Sequence, residues 1–267
     1  MARRTGLKAL ALLPALAIVV AACGSGEQAG EAKGVPLVAA GKLKTCTHLP
    51  YEPFQFEKSG EVVGFDVDLV DLVAKDLGVK QEIINGPFET IESGEDLNAK
   101  KCDLAAAGMT IKESRKQNFD FSAPYFKATQ ALLVKKSSGI NSLDQLKGKK
   151  LGAQSATTGL DYANKNAKPL GAEVVVYEDL GLLLEAVKSG QVDAGINDNG
   201  VLLDYAKKNS DLDVTKEFDT NEDYGIGVRK GNDKLRAKID EIIAKAKSSG
   251  EYDAIYEKWF GKKPTSK

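Results

Sequence analysis

Residues 103–126 read DLAAAGMTIKESRKQNFDFSAPYF, which sets a single arginine, Arg115, just past a strand of very small residues. Ala105, Ala106, Ala107 and Gly108 let a ligand come close to backbone amides and carbonyls. Thr110 adds a hydroxyl, and Arg115 adds a planar guanidinium that can hold a carboxylate through two parallel hydrogen bonds. The chemistry on offer is capture of a small carboxylate, with no bond made or broken. Taken alone, Arg115 among Lys112, Glu113 and Lys116 reads first as one more charge on a solvated helix face, and only the flanking motif makes it a ligand contact. Further along, residues 154–159 run from a strand into a helix start, where hydroxyls and free amides favour an anion; Thr158 is the candidate contact, or simply a cap. Asp198 ends the apolar stretch 192–197 at the carboxyl edge, where open α/β sheets hold ligands, and by residue type it also suits the cap of a helix beginning at Asn199.

The elements that must position these groups follow from periodicity. Short apolar runs near 43–48, 81–84, 103–107, 149–154, 173–177 and 192–197 alternate with amphipathic segments, the pattern of βα units on a largely parallel sheet. Val67, Val70, Val73, Ala74 and Leu77 recur at helical spacing, with Asp66 placed to cap and Gly78 to terminate; residues 179–188 repeat the pattern before Gly190.

In sequence, Met109, Thr110, Ile111, Lys112, Glu113, Ser114 and Arg115, then Asp120, Phe121, Ser122, Pro124 and Tyr125, resemble the family 3 extracellular solute-binding proteins, the receptors of polar amino acid ABC importers. The resemblance extends from near Lys42 to Gly261, through Tyr51, Glu52, Pro53 and Phe54, Val63 to Leu69, and the closing Lys258, Trp259, Phe260 and Gly261. It implies an α/β, two-lobe periplasmic-binding-protein fold of type II, two doubly wound sheets joined by a hinge of two crossings. Lobe one is expected over 41–130 plus 224–267 and lobe two over 131–223. The resemblance also implies the site. Arg115 and Thr110 would grip one end of an amino acid, and Asp198 would accept its ammonium with the Gly108 carbonyl. Thr158 would arrive on closure, and Tyr51 and Phe88 would wall the ligand side chain. Ala156 stands where the family usually has glycine. His48, the single histidine, stands where members that bind cationic amino acids commonly present an acid, which favours a polar neutral or acidic ligand such as glutamine or glutamate.

Residues 1–22 read as an export signal, with basic Arg3, Arg4 and Lys8 before an apolar run that ends at Ala21 and Ala22. Pro14 interrupts the run, and its length falls short of the roughly 20 residues a spanning helix needs. Val20, Ala21, Ala22 and Cys23 resemble a bacterial lipobox, making Cys23 the lipidated first residue, and residues 23–40 are expected to be a flexible tether. Arg3 and Arg4 partly resemble a twin-arginine motif, and the export route stays open. The protein is thus expected on the extracytoplasmic face of the cell membrane, held by lipid alone. Cys46 and Cys102 remain as a pair, either a disulfide suited to an exported chain or two buried thiols.

A net charge of −1 gives no basic face for nucleic acid. One histidine excludes a multi-histidine metal centre, and no G-x-S-x-G or H-E-x-x-H motif occurs. The expectation is a monomeric receptor, not an enzyme, without cofactor or metal, whose partners are an amino acid and permease subunits of an ABC importer. The rival readings are a dehydratase-like enzyme on the same scaffold and a lipid-anchored ligand sensor.

Overall fold

The computed structural model describes residues 28–264; the segment read above as an export signal, and Cys23, lie outside them. The described chain opens with a hairpin, β1 (Gly30–Ala32) and β2 (Val35–Leu37), turned through Lys33 and Gly34 at positive φ. This corrects the expectation of a tether through residue 40. Ala32, Val35 and Leu37 are buried while Glu31, Lys33 and Pro36 between and beside them are exposed, and the lobe gives that apolar face a surface to bury against, including the helix Asp233–Ser249.

The first sheet contains β3 (Lys42–Thr47), and a small hairpin of β4 (Phe56–Lys58) and β5 (Glu61–Val63) leads into the helix Phe65–Leu77. The first sheet continues with β6 (Lys80–Asn85), β7 (Leu104–Ala105) and β8 (Asp120–Phe121). β9 (Phe126–Lys135) leads into the second lobe, built on β10 (Lys150–Gln154), β11 (Glu173–Tyr177) and β12 (Ala194–Asp198). β13 (Leu212–Tyr224) returns, and β14 (Gly227–Val228) rejoins the first sheet. The sheet orders are β6-β3-β7-β14-β8 and β11-β10-β12-β9-β13. In each, two of the four strand pairings are parallel and two antiparallel, so four strands run one way and one, β14 or β9, runs against them. Each sheet is therefore mixed rather than largely parallel, because the connection between lobes goes out and comes back along neighbouring tracks.

β9 and β13 form that connection, with Phe126 opposite Tyr224 at one end and Lys135 opposite Leu212 at the other. An aromatic cluster supports it. Phe126 stacks on Tyr224 and Phe260, and Phe54 meets Phe65, Phe126 and Tyr224. The first turn of the helix Phe65–Leu77 has no side-chain cap, and its end is formed by Gly78 at φ +74°. Asp66, expected to cap, instead lies inside the first turn and accepts from the Gly108 amide. Cys46 in β3 and Cys102 before β7 are joined by a disulfide, with Cα atoms 5.6 Å apart. Among the described residues no helix is long and apolar enough to cross a membrane.

Candidate functional site

The carboxyl ends of β3, β7, β10 and β12 converge between the lobes, and the segments that follow them line one cavity. Tyr51, Phe88, Gly108, Thr110, Arg115, Thr158 and Asp198 all face it, together with His48, Gln55, Ala107, Gln154 and Thr157. The enclosed space is about 20 Å³, room for about one water. Contacts across the cleft explain the closure. Lys112 pairs with Asp161 at 2.5 Å, and the Tyr51 hydroxyl reaches Asn197 at 2.9 Å and Asp198 at 2.8 Å.

Arg115 lies in a short helix, Glu113–Lys116, and is 2% exposed. Its Nε donates to Glu92 at 3.1 Å, Nη1 to the Thr110 carbonyl at 2.8 Å and Nη2 to the Ala156 carbonyl at 3.0 Å. A guanidinium has five N–H groups, so one on each terminal nitrogen is left over. The Phe88 ring lies beneath, 5.4 Å from the guanidinium carbon. Glu92 holds the fork's back edge, so the front edge has a fixed direction. The reading of Arg115 as a solvated charge is therefore set aside by its burial. Ala156, the residue expected where glycine is usual, takes φ +59° and still offers its carbonyl to Arg115.

Gly108 has φ +55°, and a Cβ there would come within 2.7 Å of the Tyr51 ring. Its amide donates to Asp66 at 2.8 Å, and Tyr125 donates its hydroxyl to the other oxygen at 2.8 Å. Asp66 is 1% exposed, and burial pushes its carboxyl up to about 7. A buried acid thus pins the peptide between Ala107 and Gly108 where the chain enters the cavity lining.

Asp198 occupies the first position before the helix Asn199–Lys208, yet its side chain caps nothing. It accepts hydrogen bonds from Tyr51, Tyr224 and Gln130 instead. Burial, and then the nearby Glu222 carboxylate, raise its carboxyl to about 6, while burial pushes the Tyr51 and Tyr224 hydroxyls far above their ordinary range. The capping role beside Thr158 belongs to Thr157, which accepts from the Leu160 amide at 3.2 Å. Thr158 donates to Glu222 at 2.7 Å, and so does Thr110, on the same oxygen and at the same distance.

Glu222, Gln130, Asn197 and Glu92 were missed as site residues in the sequence. Glu222 sits in KEFDTNEDY, a charged run that reads as solvated strand, and only the irregular pairing of β13 turns it inward. Gln130 and Tyr224 marked lobe boundaries and carried no chemical signal of their own. Chemically, the cavity lining brings together the cationic N–H donors of Arg115, the carboxylate of Asp198 and the rings of Phe88 and Tyr51.

Residues 43–262 match bacterial extracellular solute-binding proteins, family 3, and the chain belongs to that family. The two-lobe architecture is the type II periplasmic-binding-protein fold. The chain is 37% identical to the ABC transporter glutamine-binding protein GlnH of Bacillus subtilis, over 96% of this chain and 97% of that one. It is 33% identical to a probable histidine-binding protein of Neisseria gonorrhoeae, over 94% of each. Among solved structures, an ancestral arginine-binding protein bound to arginine is 44% identical with a TM-score of 0.78, covering 83% of this chain and 99% of that one. These named relatives are binding proteins.

Proposed function

We propose that this protein is an extracytoplasmic receptor that captures one amino acid between its lobes and delivers it to the permease of an ABC importer. The observation that carries the reading is the cavity itself, whose lining holds both the spare N–H groups of buried Arg115 and the carboxylate of Asp198. A cation and an anion in one lining suit a zwitterion. Arg115 takes the carboxylate; Asp198, with the Gly108 carbonyl and Thr110, takes the ammonium; Tyr51 and Phe88 hold the side chain. Thr158 and Asp198 come from lobe two, so the ligand binds the closed form better than the open one. That difference shifts the population toward the form an importer recognises. Lobe one spans 41–130 and 224–267 and lobe two 131–223, and lipid on Cys23 tethers the monomer to the membrane.

The sequence favours a polar neutral or acidic amino acid. Two acceptors favour the neutral amide within that class. His48 Nδ1 lies 2.8 Å from the Gly86 carbonyl, which makes it the protonated nitrogen, and buried Nε2 has no partner among the described residues. Gln55 directs its amide nitrogen to the His48 carbonyl at 3.4 Å, and its Oε1 is likewise buried without a partner. A ligand side chain bearing N–H groups would satisfy both, whereas a carboxylate would meet two lone pairs.

Thermal unfolding of residues 24–267 with each of the twenty amino acids, after denaturation and refolding to strip carried ligand, tests the reading. A ligand at 100 times its dissociation constant adds about 2.7 kcal/mol. Stabilisation by one or a few amino acids is expected, with glutamine ahead of glutamate. No stabilisation by any would overturn it, and turnover of a bound amino acid would favour the enzyme reading.

A further inference from the structure

Glu222 is a buried carboxylate beside the cleft that the ligand contacts above leave unused. It is 8% exposed and sits where β13 slips register against β9: Phe218 pairs with Gln130 and Glu222 with Ala128, so β13 carries extra residues between them. Such a bulge re-aims the side chains beside it, and here Asn221 adopts φ +49°. The Glu222 carboxylate consequently reaches both lobes from the hinge. One oxygen accepts from Thr110 and from Thr158, each at 2.7 Å; the other accepts from Thr220 at 2.7 Å and Gln130 Nε2 at 3.0 Å.

A carboxylate can only accept, so both threonine hydroxyl protons are committed to it. The lone pairs of Thr110 Oγ1 are left for the cavity. Thr158 Oγ1 spends one of its lone pairs on Gln130 Nε2, at 3.1 Å. Gln130 Nε2 also donates to Asp198, so a single amide nitrogen serves three acceptors, and its own Oε1 is buried without a partner. Neither Asp198 nor Glu222 has an ion-pair partner among the described residues. The cluster is rich in acceptors and short of donors, and the charge it lacks is a cation.

We propose that Glu222 is a positioning residue for ligand capture: by taking the hydroxyl protons of Thr110 and Thr158 it turns both hydroxyls into acceptors, and so makes the cleft select a ligand that carries an ammonium. The proposal rests on the amino acid reading above and adds the group that sets the polarity of the ammonium seat. A glutamine at this position keeps the shape but places an amide that can donate toward the same hydroxyls, which frees them to donate into the cleft.

The test uses wild type and Glu222→Gln, first with the twenty amino acids and then with the 2-hydroxy acid matching whichever binds, which replaces the ammonium by a hydroxyl. The expected result is an affinity ratio of amino acid to hydroxy acid that falls at least fivefold in Glu222→Gln, with the loss concentrated in the amino acid. A ratio within twofold of wild type, whatever the loss of affinity, overturns the proposal and leaves Glu222 a structural residue. Thr110→Val keeps the side-chain shape without the oriented hydroxyl and should lower the same ratio; if Glu222→Gln does not fold, an unchanged ratio in Thr110→Val overturns the proposal equally. Failure of wild type to bind any of the twenty would instead remove the amino acid reading on which it rests.

Discussion

Replacing Asp198 by asparagine separates what this carboxylate does for ligand from what it costs the fold. The side chain is 5% exposed and receives only neutral donors, from Tyr51, Tyr224 and Gln130. A ligand ammonium donates a charge-assisted hydrogen bond to the carboxylate and to an asparagine oxygen alike, but only the carboxylate adds the opposite full charge, worth about 1.5 kcal/mol at the low end for close charge pairs. Removing it corresponds to a roughly tenfold or greater loss of affinity. Without ligand the sign reverses. Burial and Glu222 hold the carboxyl at about 6, so the ionised form is under strain in the folded protein and its removal relieves that strain. Calorimetric titration with the amino acid that best stabilises wild type, paired with thermal unfolding of the ligand-free variant, measures both. The expected outcome is weaker binding with an unchanged or raised Tm. Affinity within twofold of wild type in a folded variant would refute the assignment of the ammonium to Asp198.

Three further outcomes follow from the geometry. Asp66 and Asp198 have folded pKa values raised from 3.8 to about 7 and about 6, so between about pH 4 and 7 the folded state holds more protons than the unfolded one. Their contribution to stability is therefore present at the acid side and lost as pH rises through that window, and Asp66→Asn should flatten the slope of Tm against pH there; amino acid affinity should run the other way, weakening below about pH 6. Gly108→Ala would drive a Cβ to 2.7 Å from the Tyr51 ring at φ +55°, and such overpacking costs about 1–3 kcal/mol, read as a lower Tm and at least a tenfold loss of affinity. Reducing the Cys46–Cys102 bond, which spans a sequence separation of 56 residues, should lower stability by about 4 kcal/mol on chain entropy, measurable by denaturant unfolding with and without reductant.

The sequence carried the elements better than their pairing. The runs near 43–48, 81–84, 149–154 and 173–177 coincide closely with β3, β6, β10 and β11, because each is an apolar stretch bounded by polar or glycine residues. The antiparallel pairings of each sheet were not legible, since nothing local marks β9 or β14 as the strand that runs against its neighbours. The hairpin at residues 30–37 was hidden because its apolar alternation is only a few residues long and depends on a lobe surface. At the site, Arg115 and Asp198 stand out by motif, and both had bland readings that only burial and partner geometry could resolve. Thr157 and Thr158 are adjacent and chemically alike, so sequence could not divide the capping role from the Glu222 contact. Glu222 was invisible for a different reason: a register slip, not its neighbours in sequence, turns it inward.

The central claim, that Arg115 and the opposite lobe together hold an α-amino acid, is tested most directly by titrating wild type and Arg115→Ala with the amino acid that stabilises wild type most. The guanidinium offers a carboxylate charge-assisted bonds of about 1.5–3 kcal/mol each, and a loss of well over tenfold is predicted. Affinity within about threefold of wild type, in a variant that still folds, would contradict the account.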